Sequence, residues 1–156
     1  MTDATIHTLT MSNEILLGET KRLVSEGKEV TLRVRGISMR PFLEDRRDKI
    51  VLTKFTRTPQ VGDPVLAEIA PGKYVYHRII HIEKDKVTLK GDGNVRGTEQ
   101  CHISHIVAAT KHLIRKDKTY SPEDKVWRYY SVLWPNWEFL RRLLLAIYRR
   151  LPASWR

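Results

Sequence analysis

Between residues 29 and 112 the chain is built of short strand-like runs with no helical run between them, and this spacing limits the fold more than any other feature. Residues 29–35 alternate with period two, so Val30, Leu32 and Val34 share one face. Residues 48–54 read as a second strand, and residues 64–69 as a third, entered from a Gly62-Asp63-Pro64 turn. Pro71-Gly72 turns into a long strand over residues 73–82. Residues 83–86 then form a hairpin loop into residues 87–90. Gly91-Asp92-Gly93-Asn94 is a further turn, and residues 102–112 read as the last strand. Strands this close together exclude βαβ units and predict a mainly β fold, an antiparallel, coiled or barrel-like sheet.

Helical patterning lies at the two ends. Ser12-Asn13-Glu14 opens a short helix whose apolar residues are Ile15, Leu16, Leu17, Leu23 and Val24, and which stops by Gly27. After Ser121-Pro122 the helical period returns, is broken at Pro135 and is stopped by Pro152. On a helical wheel Trp137, Leu140, Leu143, Leu144, Ile147, Tyr148 and Leu151 share a face, Glu138, Arg142 and Arg149 oppose it, and Arg141 and Arg150 lie at its borders. The expected organisation is a β domain with its N-terminal helix over residues 1–120 and a basic, aromatic helical extension over residues 121–156.

At 156 residues the chain suits one domain with a real core. The single cysteine, Cys101, excludes an internal disulfide framework. No secretory signal stands in residues 1–10 and no run of about 18 apolar residues occurs, which gives the expectation of a cytoplasmic protein, at most peripheral on the membrane's cytoplasmic face. Of the net charge of +10, residues 111–156 supply +7, with 11 Lys/Arg against 4 Asp/Glu, and they hold all four tryptophans. Two arrangements are open to this tail. One is a terminal helix that covers the sheet with its apolar face; the other is an in-plane helix on an anionic membrane surface, with Trp and Tyr at headgroup depth. Nucleic acid is not an expected partner, because no recognition motif accompanies the aromatic and basic residues.

The residues able to do chemistry are Ser38 and His77. Ser38 lies in Gly36-Ile37-Ser38-Met39-Arg40-Pro41, a hydroxyl on a turn just past a strand. His77 lies in Tyr74-Val75-Tyr76-His77-Arg78-Ile79, a base on a rigid element. A serine needs such a base, since its hydroxyl is a poor nucleophile until the proton is removed. An imidazole, with an ordinary pKa of about 6.5, accepts protons near neutral pH without the desolvation a lysine base requires. Cys101, His102 and His105 do not make a metal site on this reading: on a strand, neighbours alternate in face and no fourth ligand stands at usual spacing. No cofactor motif is present.

Taken in order, Gly36-x-Ser38-Met39-x-Pro41, the Gly62-Asp63 turn, His77-Arg78-Ile79 and Lys90-Gly91-Asp92-x-Asn94 resemble the type I signal peptidases and the LexA-like serine peptidases. The resemblance covers about residues 30–109. It implies coiled antiparallel sheets of the LexA/signal peptidase type, and a serine endopeptidase that cleaves a peptide or precursor protein. Ser38 would be the nucleophile, His77 the base and Asp92 the acid that orients it, with Gly36, Met39 and Pro41 beside the substrate. The base position matches the Ser-His branch; the bacterial branch has a lysine there, and Lys73 stands four residues away. The chain departs from the pattern in three places. Gly36 stands where many members have a hydroxyl. At the offsets of the branch's second acid are Gly97 and Thr98, with Glu99 only nearby. No spanning N-terminal helix precedes the motifs. These departures define the alternative, a peptidase-like module that binds a peptide or partner without turnover. A self-cleaving repressor fits less well, because too little chain precedes residue 30 for a DNA-binding domain and linker.

Overall fold

In the computed structural model, which describes residues 13–152 together with Ser154 and Trp155, the alternating runs become eight strands. Helix α1 (Asn13–Ser25) leads into β1 (Val30–Arg33), β2 (Lys49–Thr53), β3 (Pro64–Ala70), β4 (Lys73–Glu83) and β5 (Lys86–Lys90). These follow the sequence expectation closely; only the start of the first helix at Ser12 and the reading of residues 1–10 lie outside the described residues. The expected last strand is instead three elements: β6 (Glu99–His102), a 3₁₀ turn (Ile103–His105) and β7 (Ile106–Arg115), after which β8 (Lys118–Tyr120) folds back on β7. His102 starts the turn, its side chain accepting from the Ser104 N–H at 3.2 Å. Strand alternation therefore does not apply there, and the His102 and His105 rings lie 6.1 Å apart rather than on opposite faces. Among the described residues no group of three or more His, Cys, Asp or Glu could hold a metal ion.

The fold is mainly β. All pairings are antiparallel, in the order β1-β2-β7-β3-β4-β5-β6 with β8 also on β7, and the sheet is not closed. Register shifts interrupt β2/β7, β3/β7, β3/β4 and β4/β5. Each such irregularity bends its strand and strengthens the local twist, so the sheet coils and buries both of its faces. Leu66 of β3 joins a core of Val24, Met39, Phe42, Leu43, Leu52 and Trp127, while Val65 and Ala67 join Ile79, Val87, Leu89 and Cys101 on the other side. That is why residues 64–67 read as an unbroken apolar run rather than an alternating one. Truncating Leu52 or Leu89 to alanine removes about 2–5 kcal/mol, as expected for fully buried leucines.

Two helices finish the chain, α2 (Lys125–Asn136) and α3 (Glu138–Arg150), separated at Trp137 just after Pro135. α2 covers the sheet. It buries Trp127 and Trp134, and Tyr130 stacks between Phe42 (ring centroids 4.8 Å) and Trp134 (5.3 Å). α3 does not lay the leucine face of the helical wheel on the sheet. The side it buries carries Arg141 and Leu145, and Tyr148 donates to Glu44 at 2.9 Å, whereas Leu140, Leu143, Leu144 and Ile147 are exposed. Arg141 turns inward because its guanidinium finds the Trp134 carbonyl at 3.1 Å and the Trp134 ring at 5.7 Å. No helix among the described residues is long and apolar enough to cross a membrane.

Candidate active site

Ser38 sits on the loop between β1 and β2, and the loop is pinned on both flanks. Val34 donates to the Asp48 carbonyl at 2.9 Å, and Gly36 donates to Asp45 Oδ1 at 2.8 Å. Gly36 has φ +89°, a left-handed backbone that disfavours any side chain. The backbone thus accounts for glycine where the resembling families place a hydroxyl. On the far side Met39, Phe42 and Leu43 plunge into the core, leaving Ser38 half-buried at the rim.

Beneath this loop lies the Gly91-Asp92-Gly93 turn. The Gly93 N–H donates to the Ser38 carbonyl at 2.7 Å. A Cβ on Gly91 would lie 2.5 Å from that same oxygen, and one on Gly93 would lie 2.6 Å from the Ile37 carbonyl. Glycines flank Asp92 because two backbone segments pass too close for side chains. The backbone N–H of Ser38 makes no hydrogen bond among the described residues, which leaves it free to serve an oxyanion.

β4 carries the candidate base. His77 is buried at 6% exposure, and its Nδ1 meets Glu99 Oε2 at 2.9 Å. Glu99 opens β6, two strands from β4, with β5 between them. Strands spaced about 4.8 Å apart put β4 and β6 roughly 10 Å from each other, a span that a histidine and a glutamate can bridge together. Nε2 has no hydrogen-bond partner among the described residues. Ser38 and His77 line one cavity of about 260 Å³, together with Leu16 and Leu17 of α1, Leu32, Ile50, Leu66 and Tyr74. No hydrogen bond joins Ser38 Oγ to His77 among the described residues.

The expected orienting acid is elsewhere. Both oxygens of Asp92 are taken by Arg78, Nε to Oδ1 at 2.9 Å and NH2 to Oδ2 at 2.7 Å. Arg78 follows His77 on β4 and so points to the opposite face. Its NH1 donates to the Gly62 carbonyl at 2.6 Å and to Ser131 Oγ at 2.9 Å, and its guanidinium lies 4.4 Å from the Phe42 ring centre. Burial disfavours the Arg78 charge, but Asp92 more than offsets this and the guanidinium pKa is raised. Trp134 of α2 donates from Nε1 to the Asp92 carbonyl at 3.0 Å. Asp92 therefore braces the floor of the serine loop, and Glu99 is the carboxylate on the imidazole. Of the expected substrate contacts, Gly36 and Met39 line the cavity with Ser38. Pro41 does not; its carbonyl accepts from Arg115 NH1 at 3.1 Å.

Sequence reasoning missed Arg78 and undervalued Glu99. The signal for the first was present: an arginine between His77 and Ile79 in a buried strand requires a buried acid. Comparison of the chain with protein-family models, characterised proteins and solved structures gives no match, so the reading of this site rests on its own geometry.

Proposed function

We propose that this chain is a serine endopeptidase, similar to the Ser-His signal peptidases, acting through Ser38, His77 and Glu99. The observation that carries this reading is the shared cavity: Ser38 and His77, from different elements, line it together, and the imidazole has a carboxylate on Nδ1. Glu99 holds the proton on Nδ1 and leaves Nε2 as the acceptor. Nε2 takes the Ser38 proton as Oγ attacks the scissile carbonyl carbon, and the new oxyanion faces the Ser38 N–H. The proton then passes from Nε2 to the leaving amine nitrogen as the C–N bond breaks. A water that gives its proton to the same Nε2 attacks the acyl-serine carbonyl carbon. Nε2 returns that proton to Ser38 Oγ as the acyl–Oγ bond breaks, and the second product leaves as the carboxylic acid. A peptide substrate reaches the site as an extended strand beside β1, which is an edge strand running directly into the Ser38 loop.

The second reading, a module that binds a peptide without cleaving it, is favoured by the missing Ser38–His77 hydrogen bond. Such bonds are often loose before substrate is bound, so the separation does not decide between the two. A serine-directed fluorophosphonate probe does. The peptidase reading expects labelling of the wild-type chain, none of Ser38→Ala, and labelling of His77→Ala slowed by about 10²-fold or more. An unlabelled wild-type protein that still binds extended peptides would establish the module instead.

A further inference from the structure

α3 presents a leucine-rich stripe to solvent. Leu140, Leu143, Leu144 and Ile147 follow the i, i+3, i+4, i+7 spacing of one helical face, and Leu143 and Ile147 are 58% and 49% exposed. α2 exposes a stripe of its own, Val126, Tyr129 and Leu133. Scattered apolar side chains are ordinary on a protein surface, but two successive helices each bearing an exposed apolar stripe are not. Nor is the α3 stripe a core face that failed to seat, because the helix already packs through Arg141, Leu145 and Tyr148.

Charge and aromatic content select the occupant. Residues 125–156 contain seven Lys/Arg and a single acid, Glu138. That acid is held by Lys90 at 3.0 Å, and its pKa is lowered by this hydrogen bond. Arg128, Arg142 and Arg150 are exposed. The helical period puts Arg142 opposite the α3 stripe and Arg150 at its border. Phe139 is 92% exposed and Trp155 75%, and Trp137 and Tyr129 are also open to solvent. A second copy of this chain would bring cation against cation. A bilayer with anionic headgroups accepts the leucines, the aromatic rings and the arginines at once.

We propose that α2 and α3 form an in-plane binding surface for anionic phospholipid, with the stripes at the acyl boundary, Arg150 at the level of the phosphates, and the exposed Arg128 and Arg142 adding to the attraction of the anionic surface. The surface is joined to the candidate active site through Trp134, which holds the Asp92 turn under Ser38. Lipid binding of this kind does not depend on whether Ser38 is a nucleophile.

The test is sedimentation of the full chain with vesicles of phosphatidylcholine alone and with about one-third phosphatidylglycerol. Partition onto the anionic vesicles should be stronger by tenfold or more, with a blue shift of tryptophan emission, and should fall at high salt, on the order of 1 M. Leu143→Ser combined with Ile147→Ser should weaken it by roughly tenfold, and Arg142→Gln combined with Arg150→Gln by a similar factor. If the serine variant does not fold, the glutamine variant carries the test. The proposal is overturned by wild-type protein that stays in the supernatant with anionic vesicles. Binding undiminished in both variants overturns it too, as does wild-type self-association that the serine substitutions abolish without any lipid binding.

Discussion

Arg78 grips Asp92 through two parallel hydrogen bonds, 2.9 and 2.7 Å long, with neither side chain reaching solvent. The pair ties β4 to the turn beneath Ser38. Asp92→Ala would leave a buried guanidinium without its counter-charge, a loss of about 3–5 kcal/mol. For a chain of this size that is a fall in melting temperature of roughly 6–20 °C. Replacing both partners, with Arg78→Met and Asp92→Leu, should cost much less than the two single changes summed. Thermal or urea unfolding of the four proteins measures this, and a near-neutral Asp92→Ala would remove the bracing role.

Glu99 should separate from Asp92 in its effect. Its carboxylate touches the imidazole and is partly exposed, so Glu99→Gln should lower kcat by about 10²- to 10⁴-fold with little change in KM. Its stability should stay within about 1 kcal/mol of wild type. Asp92→Asn should behave in the opposite order, losing stability first and activity through the displaced loop. Peptide cleavage kinetics beside melting curves distinguish the two acids, and a Glu99→Gln protein with wild-type kcat would exclude it as the orienting group.

The strands and the turn that carries Ser38 were legible because each depends on a few neighbouring residues. Alternation marks Val30, Leu32 and Val34, and glycine and proline punctuate the Ser38 loop. The choice between Asp92 and Glu99 depends on β6 lying beyond β5, 22 residues from His77, and no local pattern encodes that. A wheel likewise identifies the leucine face of α3 without saying which face meets the body. There Arg141, with a long apolar stem and a carbonyl and a ring to meet, took the inward place.

Stability should decline above about pH 10 because the fold holds several tyrosines in their protonated form, Tyr76, Tyr130 and Tyr148 most strongly. Burial raises the pKa of Tyr76 and raises that of Tyr130 well above the ordinary value. Tyr148 is pushed up to about 12, first by burial and then by its hydrogen bond to Glu44. The folded state therefore binds more protons than the unfolded chain above the ordinary phenol pKa, and stability falls as pH rises through that window. Each fully buried tyrosine contributes up to about 1.4 kcal/mol per pH unit there. Urea unfolding between pH 8 and 12 should show this slope, and Tyr76→Phe should reduce it. Absorbance near 295 nm should show that part of the phenolate signal appears only as the fold is lost.

Two glycines, Gly91 and Gly93, test how closely the serine loop is seated, and Gly18 is the unhindered control. Gly18 lies inside α1 with open space where a Cβ would go, so Gly18→Ala should stabilise the chain by about 0.5–1 kcal/mol. Gly91→Ala meets the Ser38 carbonyl at 2.5 Å and Gly93→Ala the Ile37 carbonyl at 2.6 Å, both backbone atoms that cannot rotate away. Either change must lift the loop or push down the turn, at a cost of about 1–3 kcal/mol. The displaced serine should also lose reactivity toward the fluorophosphonate by on the order of 10²-fold, since about 1 Å of misplacement suffices for that. A Gly91→Ala protein that is as stable and as reactive as wild type would mean that the turn does not set the position of Ser38.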